Sequence, residues 1–290
     1  MTRLPTGIAA LDASLGGGLI PGSLVMLCGA TGIGKTQLGL QMLAADCQAG
    51  DVPAAAIIDL SSRGDSQNHI EYARRLSGAE LSVHDPRRDV DHLFDVRPPH
   101  ILPFLGYRGR RVLRSQMDVD EWHAWQSELN RRMPQLYRFV YGHLLHGTRR
   151  FLIDGIEPQG SASDSLQMDL LELIYHRMLR QEHDWLAREV FRQHYSAMQS
   201  QVAEHAYDHQ QSVAIVLVTT PHSMLDQLMA DPLADGALAA GANTVILLGR
   251  QIVDGQMQRA MFIAKHRGSY ADPRILPFAI DDSGVRFADQ

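Results

Sequence analysis

Lysine is nearly absent from this chain: of its 27 basic residues only Lys35 and Lys265 are lysine, and the rest are arginine. Cysteine is equally scarce. Cys28 and Cys47 give neither a disulfide framework nor a metal-ligand set, and Cys28, inside an apolar run, reads as a small core residue. No apolar run approaches the ~18 residues that a membrane span needs. Residues 1–7 also lack the apolar stretch of a secretory signal, so a folded cytoplasmic protein without membrane contact is expected. Positive charge is in deficit, with 27 basic against 33 acidic residues, a net charge of -6 and a pI near 6.1. That balance opposes a global attraction to nucleic acid. Hydrophobic residues make up 45% of the chain, ample for a packed core.

Against this scarcity, the place of each lysine carries information. Lysine is a compact charge on a slim stem that can enter a tight phosphate cradle, where the planar fork of arginine is a poor substitute. Lys35 lies in Gly29-Ala30-Thr31-Gly32-Ile33-Gly34-Lys35-Thr36, which satisfies G-x-x-x-x-G-K-[ST] in full. An apolar run over 23–28 precedes this loop, and Leu38, Leu40, Met42 and Leu43 follow it in a helical pattern over 36–45, giving strand, loop and helix. In such a loop backbone N–H groups and a helix N-terminus face the phosphates of a bound nucleotide. Gly29, Ala30, Thr31, Gly32, Ile33, Gly34, Lys35, Thr36 and Gln37 are the candidate binding residues. Lys35 would neutralise the outer phosphates and the Thr36 hydroxyl would hold Mg²⁺.

A metal beside a nucleotide phosphate also needs a carboxylate at the tip of an apolar strand, and Phe151-Leu152-Ile153-Asp154 supplies one. Hydrolysis further needs a group that orients or deprotonates water. Asp59, Glu157 and Asp65 are the candidates. Each is equally readable as a capping or surface residue.

Apolar runs at 23–28, 54–60, 100–105, 150–154, 213–219 and 244–248, separated mostly by helical patterns, predict an α/β fold with a mainly parallel sheet. Runs at 259–266 and 275–280, joined by a turn-rich segment, predict an antiparallel extension at the C-terminal end. The chain reads as one domain, 1–290, with two insertions. The first, 84–118, is rich in proline and arginine. The second, 177–211, is helical, with Leu186, Val190, Phe191, Met198, Val202 and Ala206 on one apolar face that must dock within the subunit or on a protein partner. Trp122, Trp125, Leu129, Met133, Leu136 and Val140 define another helical face, read as core.

Thr6-Gly7-Ile8, Leu11-Asp12, Gly16-Gly17-Gly18 and Pro21-Gly22, followed by Gly34-Lys35-Thr36-Gln37-Leu38 and Gln41, resemble the opening of the KaiC and RadA branch of the RecA superfamily. Leu233-Ala234-Asp235-Gly236, Lys265-His266-Arg267-Gly268-Ser269, Pro277-Phe278 and Gly284-Val285 are similar to the KaiC pattern. The resemblance implies a RecA-like core, a homo-oligomeric ring or filament with a hexamer as one option, and ATP bound between subunits. It also implies that Lys265 and Arg267 reach from one subunit to the phosphate of the next, which gives the second lysine a role. Family members carry a glutamate at the end of the second strand to activate water. This chain has Ile57-Ile58-Asp59-Leu60-Ser61-Ser62, so slow hydrolysis is expected. It begins at the core without the DNA-binding domain of RadA-type recombinases and holds one P-loop where clock KaiC has two. A single-domain KaiC-like ATPase is the expectation, with an ATP-binding scaffold of little turnover or a recombination accessory ATPase as alternatives.

Three weaker signals remain. Residues 107–114 are the most basic segment and leave nucleic-acid contact open, although the net charge does not favour it. His205 and His209 stand one helical turn apart without an evident third metal ligand. Tyr72 and Arg74 are candidates for contact with the nucleotide base.

Overall fold

The computed structural model describes residues 2–45, 55–61, 69–85, 93–105, 117–157, 166–230 and 240–287. Cys47, Asp65, the basic segment 107–114 and the motif at 233–236 lie outside the described residues.

The chain opens with a short helix, α1 (Ala9–Ser14), and then alternates strand and helix: β1 (Leu24–Gly29), α2 (Lys35–Ala44), β2 (Ala55–Asp59), α3 (His69–Ser77), β3 (Ile101–Pro103), α4 (Val119–Leu145), β4 (Arg150–Ile156) and α5 (Leu166–Glu172). A π-helical turn over Leu173–Leu179 leads to α6 (His183–Phe191) and α7 (Tyr195–Glu204), before β5 (Val213–Thr219) and α8 (Leu225–Ala230). Four strands close the chain: β6 (Thr244–Val253), β7 (Gln256–His266), β8 (Leu276–Asp281) and β9 (Gly284–Phe287).

The nine strands among the described residues form one sheet in the order β3-β2-β4-β5-β1-β6-β7-β8-β9. The ladders from β3 to β6 are parallel and those from β6 to β9 are antiparallel. The mainly parallel core with an antiparallel C-terminal extension is therefore present as the sequence implied, and is consistent with a RecA-like core. β9 is the strand that the apolar runs did not announce, because it is only four residues long and begins at a glycine.

Strand alternation sorts side chains between two cores. Val25, Leu27, Ile57, Leu152, Ile215 and Leu217 face α1, α2 and α3, whereas Met26, Cys28, Ile58, Ile153, Val216 and Val218 face α4 through α8. Strands buried on both faces read as continuous apolar runs, which is why they were legible. Trp125, Leu129, Leu136 and Val140 of α4 are buried in the second core, with Trp122 and Met133 packed against it.

The stretch 177–211 is not one long helix. It breaks at 180–182, turns again at Arg192, which has φ 47, and ends as an α-helix at Glu204, with a 3₁₀ turn at His209–Gln211 beyond. Its apolar face docks inside the subunit: Leu186 and Val202 are buried, and Val190, Phe191 and Met198 pack on the α4 core. Ala206 lies past the helix and is exposed. The described part of 84–118 is likewise built into the fold, with Leu93, Ile101, Leu102, Phe104 and Leu105 buried and β3 forming a sheet edge.

The N-terminal motif residues are structural. Asp12 Oδ1 accepts from Thr6 N at 2.7 Å, and Leu4 and Leu19 bond each other's backbones, pinning the first residues over the turn at Gly16-Gly17-Gly18. Gln41 does the same for the C-terminus: its Oε1 accepts from Val285 N (2.7 Å) and its Nε2 donates to Val285 O (3.3 Å), fixing β9 on α2.

Candidate functional site

β1 ends at Gly29 and α2 begins at Lys35, so the glycine-rich loop sits at the C-terminal end of a central strand, where α/β sheets place their ligands. Gly34 caps α2 in the left-handed region (φ 116, ψ 10), and an added Cβ would stand 2.5 Å from Ile280 Cδ1. The conformation favours glycine there, and any side chain would also have to displace the end of Ile280. Thr31 and Gly32 are exposed at the loop tip, while Ile33 is buried as its anchor.

Lys35 is buried, and its ammonium donates to Gly29 O (2.8 Å) and Ala30 O (2.9 Å). Burial pushes its pKa down to about 8, a fall moderated by Asp154, Cys28 and Glu157. A cation held at a desolvation cost is one that an incoming anion relieves. Beside it, burial pushes the Cys28 thiol up to about 12, so it stays protonated as the core residue its setting implied.

The Thr36 hydroxyl donates to Asp154 Oδ2 at 3.3 Å, across 118 positions of sequence. The β2–β4 register sets Asp59 opposite Asp154. A bulge between Ile153 and Ile156 reshapes the end of β4. At its centre Gly155 has φ 92, and a Cβ there would lie 2.3 Å from Ser61 N, so the two strand ends meet backbone to backbone. Leu60 N donates to Asp154 O across the junction (2.8 Å).

Asp59 is buried, and its Oδ1 accepts from Ser61 N at 2.8 Å, closing a turn within its own loop. Glu157 is exposed, with its backbone N–H donating to Gln167 Oε1 (3.1 Å). Arg74 pairs at the surface with Glu71 and Glu80, and Tyr72 packs on the α2 side core. His205 Nδ1 bonds Gln201 O (2.9 Å) as part of a helix end.

Two residues at this centre were missed in the sequence. His69 Nε2 lies 2.9 Å from Asp154 Oδ2, buried at the start of α3. Gln167 Nε2 donates both to Leu60 O (2.9 Å) and to Gly155 O (2.6 Å), clasping the ends of β2 and β4. No motif marks either one, since both act through contacts between elements remote in sequence.

Lys265 and Arg267 stand elsewhere. Lys265 pairs with Val245 and His266 with Thr244, the residue that pairs with Val25 near the start of β1. Lys265 Nζ donates to Ala240 O (3.1 Å) and Arg267 N donates to Asn243 O (2.9 Å), both in the lead-in to β6. The edge of the sheet that carries them is the one opposite its own glycine-rich loop. Between them His266 is buried, its Nε2 bonding Leu15 O and its Nδ1 the Thr244 hydroxyl.

The residues fit a nucleotide with a hard divalent cation. The hydroxyl of Thr36 and the carboxylate of Asp154 supply the oxygen donors that Mg²⁺ prefers. Next to them Gln37 Oε1 is buried without a hydrogen-bond partner among the described residues.

Sheet order and loop placement together give an α/β fold consistent with a RecA-like core. A model of the KaiC ATPase family matches residues 4–63, which span the N-terminal motif, the glycine-rich loop and β2. Over that segment the chain is similar to KaiC-type ATPases, a likeness that supports ATP binding and the ATPase class. No curated protein matches the chain.

Proposed function

We propose that this protein is a homo-oligomeric, Mg²⁺-dependent ATPase of slow turnover, whose nucleotide is bound by one subunit and completed by the next. The observation that carries the reading is the convergence of Lys35, Thr36 and Asp154 at the C-terminal ends of neighbouring strands. Residues 29–37 would cradle the phosphates, and Lys35 would leave the Gly29 and Ala30 carbonyls for the outer phosphate charge. Thr36 and Asp154 would hold Mg²⁺, which supplies charge neutralisation across the phosphate oxygens.

Water would attack the γ-phosphate in line, oriented by Asp59 or Glu157. Asp59 accepts from the Ser61 amide and Glu157 is solvent-exposed, so neither is held in place towards an attacking water. That supports slow hydrolysis and a role in which nucleotide state governs assembly or partner binding. Lys265 and Arg267 lie too far along the sheet to serve their own loop: the three rows from Met26 to Gly29 span about 10 Å, and β6 intervenes laterally. Acting in trans, they would stabilise the charge on the transferring phosphoryl group as an arginine finger does. The subunit itself is read as cytoplasmic, and as one domain.

Phosphate release per subunit, measured with Mg²⁺ and ATP from nanomolar to tens of micromolar protein, tests this. Specific activity should rise with concentration as subunits complete each other's sites. Tight ATP binding with no release at any concentration would replace the ATPase with a nucleotide-sensing scaffold. Unimpaired ATP binding by Lys35→Ala would overturn the site itself.

A further inference from the structure

We propose that His69 is the positioning residue of the Asp154 carboxylate and thereby sets the affinity of the site for the divalent cation that accompanies ATP. The inference rests on the Mg²⁺–ATP reading of the site.

Each oxygen of Asp154 has a distinct environment. Oδ1 accepts from the adjoining Gly155 N (2.7 Å), a contact made inside the β4 bulge. Oδ2 faces two donors: His69 Nε2 at 2.9 Å and Thr36 Oγ1 at 3.3 Å. A carboxylate only accepts, so the imidazole presents an N–H at Nε2. The shorter contact is the stronger of the two, and a hydroxyl rotor at 3.3 Å restrains its partner weakly. With the Gly155 amide holding Oδ1, His69 is therefore the group that holds Oδ2, and the two together set the plane of the carboxylate.

The imidazole is itself held. The side chains of His69 and Asp154 are 3% and 12% exposed, so water does not compete freely for their contact. α3, which begins at His69, lies against α2 with Ala73 buried and Ile70 and Leu76 packed on the same core as Leu38 and Met42. Thr36 rides on α2 and Asp154 on β4, so His69 joins the third element of the site to the other two. Partners that hydrogen-bond a metal-binding carboxylate fix its orientation, and their removal typically costs about 10–100-fold in metal affinity. Nothing in the P-loop motif requires a histidine at this place.

Calorimetric titration of the full chain with ATP, at MgCl₂ from zero to tens of millimolar, separates this role from a merely structural one. His69→Ala is expected to raise the Mg²⁺ concentration giving half-maximal enhancement of ATP binding by about 10–100-fold, leaving metal-free ATP affinity unchanged. His69→Gln, which keeps a donor at the Nε2 position, should restore most of the wild-type midpoint. If His69→Ala does not fold, His69→Leu against His69→Gln gives the same comparison.

An unchanged Mg²⁺ midpoint in the donorless variant overturns the proposal, as does an equal loss of affinity with and without metal. A midpoint lowered by the substitution also overturns it, since His69 would then be occupying the place of the cation. Wild-type protein whose ATP binding is indifferent to Mg²⁺ would remove the underlying reading as well. A normal wild-type dependence with an unmoved His69→Ala midpoint would remove this inference alone.

Discussion

Lys35 and Lys265, the only lysines of the chain, lie at opposite ends of one sheet. Lys35 follows the Gly29 end of β1, where Gly29 pairs with Leu248, while Lys265 pairs with Val245 near the strand's beginning. One subunit cannot bring both to a single phosphate, but the proposed head-to-tail contact would set the Lys265 edge of one copy against the Lys35 edge of the next. Lys35→Ala and the double variant Lys265→Ala/Arg267→Ala should each be inactive alone, the second with ATP binding retained. Mixed in equal amounts under exchanging conditions, they should recover roughly a quarter of wild-type phosphate release, the share of random head-to-tail contacts with both halves intact. No recovery from variants shown to co-assemble would exclude the trans role.

Lys35 also makes a stability prediction for the nucleotide-free protein. Its pKa is lowered from 10.5 to about 8, chiefly by burial, so between these values the unfolded chain binds a proton that the folded chain does not. Stability from this group therefore rises as pH goes from 8 towards 10.5, by up to about 3 kcal/mol, and below pH 8 the full cost of the buried charge is present. Urea unfolding of wild type and Lys35→Met at pH 7.5 and 10 should show wild type gaining on the variant. Equal gains in both proteins would show that Lys35 is not the source.

The sheet and the phosphate loop were legible because their signals are local. A strand buried on both faces is an apolar run, as Val213–Thr219 shows, and the G-x-x-x-x-G-K-[ST] spacing is a contiguous string. Asp154 could be picked out because a carboxylate ending an apolar run is conspicuous. His69 and Gln167 were not, because a lone histidine among 14 and a glutamine on a short helix acquire meaning only from the carboxylate and carbonyls they reach. The apolar face of 183–202 was visible, but periodicity does not say what covers a face or where a helix breaks, and the positive φ of Arg192 has no residue signature.

Gln167 tests whether the strand ends act as a unit. Its side chain satisfies Leu60 O and Gly155 O and accepts from Glu157 N, holding the segments that carry Asp59, Asp154 and Glu157. Gln167→Ala should leave ATP affinity within about twofold but lower turnover, because the loop residues 29–37 make no contact through it while the water-orienting candidates do. Each lost hydrogen bond should also cost about 1 kcal/mol in urea unfolding. A matched fall in affinity and turnover would instead mean that the clasp supports the phosphate loop.

Acid stability turns on His143, in the interior of the α4 layer. Its Nε2 bonds Pro99 O (3.1 Å), which requires N–H there, and its Nδ1 accepts from the Thr148 hydroxyl (3.0 Å), so the ring is built in as the neutral tautomer. Burial pushes its pKa down to about 3 from 6.5, with the Pro99 contact resisting the fall. The folded-state value is depressed, so the contribution is whole above pH 6.5 and is lost as pH falls towards 3, by up to about 1.4 kcal/mol per pH unit. His143→Gln keeps a donor and an acceptor but does not titrate. At pH 7.5 the variant should be the less stable protein by about 1–2 kcal/mol, through poorer filling of a tight site. By pH 5 the gap should close or reverse, because wild type loses about 2 kcal/mol over that interval from His143, whereas the losses from His84, His100 and His266, shifted in the same direction, are common to both proteins. A gap that stays constant from pH 7.5 to pH 5 would show that His143 is not the acid-labile group.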